Sequence, residues 1–185
     1  MKVKAEDYRI HNEMEEVADL VIKEILSEDS SICGCSSCQA DMKSLILNRL
    51  NPQYYPILNT ADERREVSLD LLDSDLFNEV LVETYRAVLK VKDKPRHDGE
   101  RFYLRNSAEE IALSALNEIL QGEKRTFTGN QLSTLMSLVM NNLKPLYTTT
   151  FKGSAFTRTA EVDPSYIAEV YSHIFNALKQ IDSQD

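Results

Sequence analysis

All three cysteines of this 185-residue chain fall within six residues, in the stretch Cys33-Gly34-Cys35-Ser36-Ser37-Cys38-Gln39-Ala40-Asp41. Their spacing is C-x-C-x2-C, and an amphipathic segment follows at once, with apolar residues at 42, 45, 46, 47 and 50. The thiols therefore stand at the mouth of a helix, where free backbone N–H groups and partial positive charge favour thiolates. Thiolates are metal ligands. Cys35 and Cys38 can turn both sulfurs toward one ion, and Cys33 can fold back as a third ligand, as in small zinc sites. The fourth ligand is not local, which leaves His11, His97 and His173 as candidates, followed by Asp41 or a water. Two other readings stay open: small buried residues at a helix start, and redox chemistry. Redox ranks last, because the count is odd and no histidine or lysine adjoins the cysteines to mark a low-pKa nucleophile.

Those thiols need helices to hold them, and the composition supplies helices. With 42% hydrophobic and 28% charged residues and only five glycines and five prolines, the chain reads as globular and helical. A charged N-terminus without an apolar stretch, and no apolar run of membrane-spanning length, point to a soluble cytoplasmic protein with reduced thiols. The net charge of −9 sets the surface against nucleic acid. One short segment runs the other way: residues 92 to 105 carry five Lys/Arg against three Asp/Glu.

Helical periodicity places a first helix over about 11–28, with Asn12 as its cap and Glu15 three residues on. A second follows the cysteines and stops at Pro52, a short amphipathic stretch spans 65–72, and a third helix covers about 75–90. The second half then repeats the first. Residues 106–120 echo 12–26 at an offset of 94, residues 137–147 echo 44–54 at an offset of 93, and residues 167–178 echo 77–88 at an offset of 90. Three blocks in one order indicate an internal duplication of a three-helix unit. The positions matching Cys33, Cys35 and Cys38 are Thr126, Thr128 and Gln131, so one metal per chain is expected, as support for one unit.

The combination of Asn12 and Glu15, then Cys33, Cys35, Cys38 and Asp41, then Leu45, Leu47, Asn48, Leu50, Pro52 and Tyr54 resembles the late competence protein ComFB family of small bacterial all-helical proteins. The likeness covers residues 11 to about 97, and 106–181 as a degenerate second copy. It implies an all-α fold of two tandem three-helix units packed as an intrachain pseudo-dimer: a unit with the cysteine cluster at 8–91, a basic linker at 92–105, and a degenerate unit at 106–182. It also implies zinc on the cysteines with one further cysteine after the last helix of the unit. This chain has none there; the region reads Lys94-Pro95-Arg96-His97-Asp98, which makes His97 the expected fourth ligand.

Members of that family are associated with competence and motility regulation, and some resemble receptors for cyclic dinucleotides such as cyclic di-GMP. Such a ligand needs cations for its phosphates and flat side chains for its bases. Lys94, Arg96 and Arg101 are the local cations, and Tyr54, with Tyr55 or Tyr147, the stacking candidate. Packing behind a helix-ending proline accounts for Tyr54 and Tyr147 as well.

No Gly-rich phosphate loop, H-E-x-x-H or G-x-S-x-G occurs, and the acid pairs Glu15-Glu16 and Glu109-Glu110 suit the first turns of helices. The expected function is therefore non-enzymatic: a regulatory protein with a structural zinc, as a cyclic dinucleotide receptor or as a zinc-stabilised adaptor whose acidic helical surface docks a basic protein. A zinc hydrolase ranks below both. The chain is expected to be a monomeric pseudo-dimer or a homodimer.

Overall fold

A computed structural model describes residues 2–58, 67–97, 103–121, 126–150 and 163–183. In order, its elements are β1 (Ile10–Asn12), α1 (Met14–Glu28), α2 (Ser36–Leu47), β2 (Tyr54–Pro56), α3 (Ser74–Asp93), β3 (Arg105–Asn106), α4 (Ser107–Gln121), α5 (Gly129–Met140), β4 (Tyr147–Thr148) and α6 (Pro164–Asp182). The fold is mostly helical. The two short sheets are antiparallel and equivalent: Asn12 pairs with Tyr54 in β1–β2, and Asn106 pairs with Tyr147 in β3–β4.

Each helix follows from local chemistry. On α1, Met14, Val17, Ala18, Val21, Ile22 and Ile25 are buried at the spacing of one helical face. Cys38, Met42 and Ile46 form a buried row down α2. The Asp73 carboxylate caps α3 by accepting from the amides of Asp75 and Leu76, and Asp163 caps α6 ahead of Pro164 at its first position.

The boundaries differ from the sequence expectation in four places. Asn12 lies in a strand, and its side-chain oxygen accepts from the amides of Met14 and Gln53, so α1 starts at Met14 rather than at His11. The second helix ends at Leu47, well short of Pro52, and a tight turn in which Arg49 and Leu50 donate to the Ile46 carbonyl continues the chain. The amphipathic stretch at 65–72 forms a helical turn only at Leu69–Leu71; residues 59–66 lie outside the described residues. The third helix runs longer than 75–90 at both ends.

Two hydrophobic cores form, one per unit, and each takes in a tyrosine from the other. Tyr54 joins the core of α4, α5 and α6, while Tyr147 joins the core of α1, α2 and α3. Asparagines hold this exchange in both directions. Asn48 donates to the Tyr147 carbonyl at 2.8 Å and accepts from its amide at 2.7 Å. Asn141 does the same for Tyr54, donating to its carbonyl at 2.8 Å and accepting from its amide. Asn12 donates to the Tyr147 hydroxyl and Asn106 to the Tyr54 hydroxyl, each at 3.0 Å. The two hydroxyls meet at 3.2 Å. Four backbone groups of the strands that meet between the units are thus satisfied by side chains rather than by sheet partners. No helix of the described residues is long and apolar enough to cross a membrane.

Candidate metal centre

The cysteine loop leaves α1 through Asp29, whose carboxylate accepts from the amide and hydroxyl of Ser31. Cys35 then occupies the N-cap of α2 in extended backbone, and its carbonyl accepts from the Gln39 amide at 3.0 Å. Cys38 sits one turn in, fully buried, while Cys33 and Cys35 are half-buried. His97 arrives from beyond the end of α3. Its Nδ1 lies 3.6 Å from the sulfur of Cys33, 3.8 Å from that of Cys35 and 4.0 Å from that of Cys38.

The four ligand atoms all lie within 4.8 Å of one another. For a tetrahedral ion with metal–sulfur bonds of about 2.3 Å and metal–nitrogen bonds of about 2.0–2.1 Å, each sulfur-to-nitrogen edge measures about 3.6 Å. The three observed sulfur-to-nitrogen edges match or slightly exceed that value, as a tetrahedral site with His97 as its nitrogen ligand requires.

Electrostatics at the cluster divide the thiols. Cys35 is lowered to about 6, first by the Cys38 backbone N–H and then by His97. Cys38 is pushed up to about 12, first by burial and then by the sulfurs of Cys35 and Cys33 beside it. Three thiolates crowded together repel, and a bound cation is what removes that cost.

What delivers His97 is its neighbour. Arg96 grips Asp41 of α2 through two nitrogens and also donates to the Thr149 hydroxyl at 2.8 Å. Thr149 in turn donates to Asp41 at 2.6 Å. Asp41 is therefore no metal ligand here. It closes a clamp that joins α2, the segment after α3 and the second unit, which is the kind of outer contact that orients a ligating histidine. Lys92 adds a second latch, donating to Ser31 at 2.7 Å.

The other histidines lie elsewhere. His11 contacts Glu16 and packs edge-on against the Tyr55 ring, with centroids 5.5 Å apart, and His173 belongs to α6. The described residues expected to hold a dinucleotide have different surroundings. Lys94 is exposed and Arg96 is engaged by the clamp. Arg101 lies outside the described residues. Tyr54 is buried between the units, its phenol pushed up to about 12 by burial. It does line a cavity of about 440 Å3 there, together with Glu15, Glu109, Glu110, Arg105 and Tyr147. Tyr147 donates to Glu15 at 2.8 Å and Tyr8 to Glu109 at 2.9 Å. Burial, and the nearby charge of Glu15, hold the Glu109 carboxyl above its usual range.

Two sets of contacts escaped the sequence reading. The clamp of Asp41, Arg96 and Thr149 left no local signal beyond the place of Asp41 in the cysteine motif. The asparagines at 48 and 141 and at 12 and 106 did leave one, since each pair is identical at its repeat offset.

A family model described as "Late competence development protein ComFB" matches residues 11–95 and again residues 105–185. Neither the curated proteins nor the solved structures yield a match to the chain.

Proposed function

Because this chain belongs to the ComFB family and carries two copies of its unit, we propose that it is a cytoplasmic, non-enzymatic regulatory protein, built as an intrachain pseudo-dimer and acting as a zinc-stabilised adaptor. The ion is held by Cys33, Cys35, Cys38 and His97. A zinc bound by four protein ligands has no open position for substrate and contributes folding energy instead. The observation that carries this reading is the continuity of the clamp with the ligand set: Arg96 precedes His97 and reaches both Asp41 of the first unit and Thr149 of the second. Holding His97 on the ion thus also holds the two units together. The reciprocal exchange of Tyr54 and Tyr147 supports the pseudo-dimer.

Cyclic di-GMP is the second reading, favoured by the cavity between the units that Tyr54 lines. Its lining weighs against a ligand with two phosphates. Glu15, Glu109 and Glu110 face it, and the Arg105 guanidinium is already paired with Glu110. Titration of metal-quantified protein with cyclic di-GMP and cyclic di-AMP separates the two. No heat of binding, with about one zinc per chain and a lower melting temperature in chelator, is the adaptor's result. Saturable binding would replace it with a sensor.

A further inference from the structure

Six large apolar side chains stand exposed among the described residues, and three of them share α3: Val82 at 49%, Tyr85 at 48% and Leu89 at 66%. Steps of three and four place them on one face of the helix. Arg86 and Lys90 interleave with them and, with Arg49 from the end of α2, line a cleft of about 220 Å3 closed by Leu45, Glu83 and Ala87. Arg86 pairs with Glu83 at 2.5 Å. Arg49 and Lys90 make no ion pair among the described residues. On a chain of net charge −9, this is a local reversal of sign beside an apolar stripe.

The second unit shows that the fold does not require such a face. At the repeat offsets, Val82, Tyr85 and Leu89 become Ser172, Phe175 and Lys179, while Arg49, Arg86 and Lys90 become Asn142, Asn176 and Gln180. α6 thus fills the role of α3 with one exposed apolar residue and a single cation on the matching face. Packing needs explain the buried sides of both helices, and leave the stripe on α3 unexplained.

We infer that this face of α3 docks an acidic amphipathic segment of a partner protein, its apolar residues on Val82, Tyr85 and Leu89 and its carboxylates on Arg49, Arg86 and Lys90. This rests on the adaptor reading and names the partner's chemistry; it places an acidic partner where the sequence alone suggested a basic one. The mode is that of an amphipathic helix laid on an apolar surface with flanking charge. The repulsion of the acidic chain as a whole is screened beyond about 8 Å at physiological ionic strength, so the local patch decides. A flat anionic membrane is the poorer fit, because it would also face the exposed acids farther along the same helix, Asp75, Glu79 and Asp93.

The test uses the full zinc-loaded chain and a labelled helical peptide with a leucine stripe flanked by glutamates, read by fluorescence anisotropy. Controls are the same peptide with lysines for glutamates, and phosphatidylglycerol vesicles. Saturable binding of the acidic peptide, weakened about tenfold or more by Arg86→Glu with Lys90→Glu and by Leu89→Ser, is the expected result. Matching substitutions Asn176→Glu and Phe175→Ser should leave it unchanged. Equal binding of the lysine peptide, insensitivity to the α3 substitutions, or binding to vesicles but not to peptide would overturn the docking face. Zinc content and melting temperature, measured on every variant, separate this failure from that of the adaptor reading. A chain that keeps its zinc but binds no acidic peptide sinks the docking face alone, whereas saturable cyclic dinucleotide binding sinks the adaptor.

Discussion

The N-termini of α2 and α5 sit at the same place in the two units and solve the same problem with different chemistry. At α5, Thr128 and Gln131 form a reciprocal capping box: the Thr128 hydroxyl accepts from the Gln131 amide at 3.2 Å, and the Gln131 side chain accepts from the Thr128 amide at 2.9 Å. At α2, the same two positions are Cys35 and Cys38, and the Cys38 N–H faces the Cys35 sulfur instead. A helix start needs acceptors for its free amides, and either pair provides one. The cysteine cluster therefore occupies a position that the fold already required to be polar. What the thiols add is a tie to His97, and through Arg96 to the other unit.

Substitutions at and around the two helix starts should have effects that fall in a definite order. Cys38→Ser should come first. With its buried sulfur gone, bound metal should fall from about one per chain to near zero and the melting temperature should drop by roughly 10 °C or more; equal metal content and stability in elemental analysis and calorimetry would make the thiols mere core residues. Next is Arg96→Ala, which keeps all four ligands but frees the segment that carries His97. Metal affinity measured by chelator competition should weaken about 10–100-fold, and an unchanged affinity would reduce the clamp to a surface ion pair. Thr128→Ala should be milder. Loss of one cap costs about 1 kcal/mol, or roughly 2–4 °C for a chain of this size, and it should leave metal content alone.

The smallest effect concerns the seam. Glu109 is held above its ordinary value of 4.5 in the folded chain. A carboxyl raised on folding is neutral more readily in the native state, so stability falls as pH rises from the unfolded value through the folded one. Glu109→Gln removes that loss while leaving an oxygen to accept from Tyr8. Its melting temperature should exceed that of the parent by roughly 1–3 °C at pH 7 and by less at pH 4. A uniform change at both pH values would mean that the ionised form is not disfavoured.

The helices were legible because their buried faces recur every three to four residues, and the repeat was legible from three echoed blocks. The short strands were not: β3 and β4 have two residues each, too few for alternation to register. Asn12 looked like a helix cap because caps and strand-edge asparagines use the same acceptor oxygen. The cysteine cluster was readable since its thiols are close in sequence, and His97 because it stands where the family resemblance implies a further cysteine. The contacts of Arg96 were not legible, for the opposite reason. Its partners Asp41 and Thr149 lie 55 and 53 residues away, so nothing local distinguishes a clamp from a ligand contact. Tyr54 and Tyr147 were rightly suspected of packing, but that each packs into the other unit's core depends on how the units meet.

The proposed site holds one ion in the first unit, between three sulfurs and one imidazole nitrogen. Zinc-edge X-ray absorption on metal-quantified protein tests this directly. It should return about one zinc per chain, with three sulfurs at about 2.3 Å and one nitrogen at about 2.0–2.1 Å. A protein that purifies without metal and melts at the same temperature with and without chelator would contradict it.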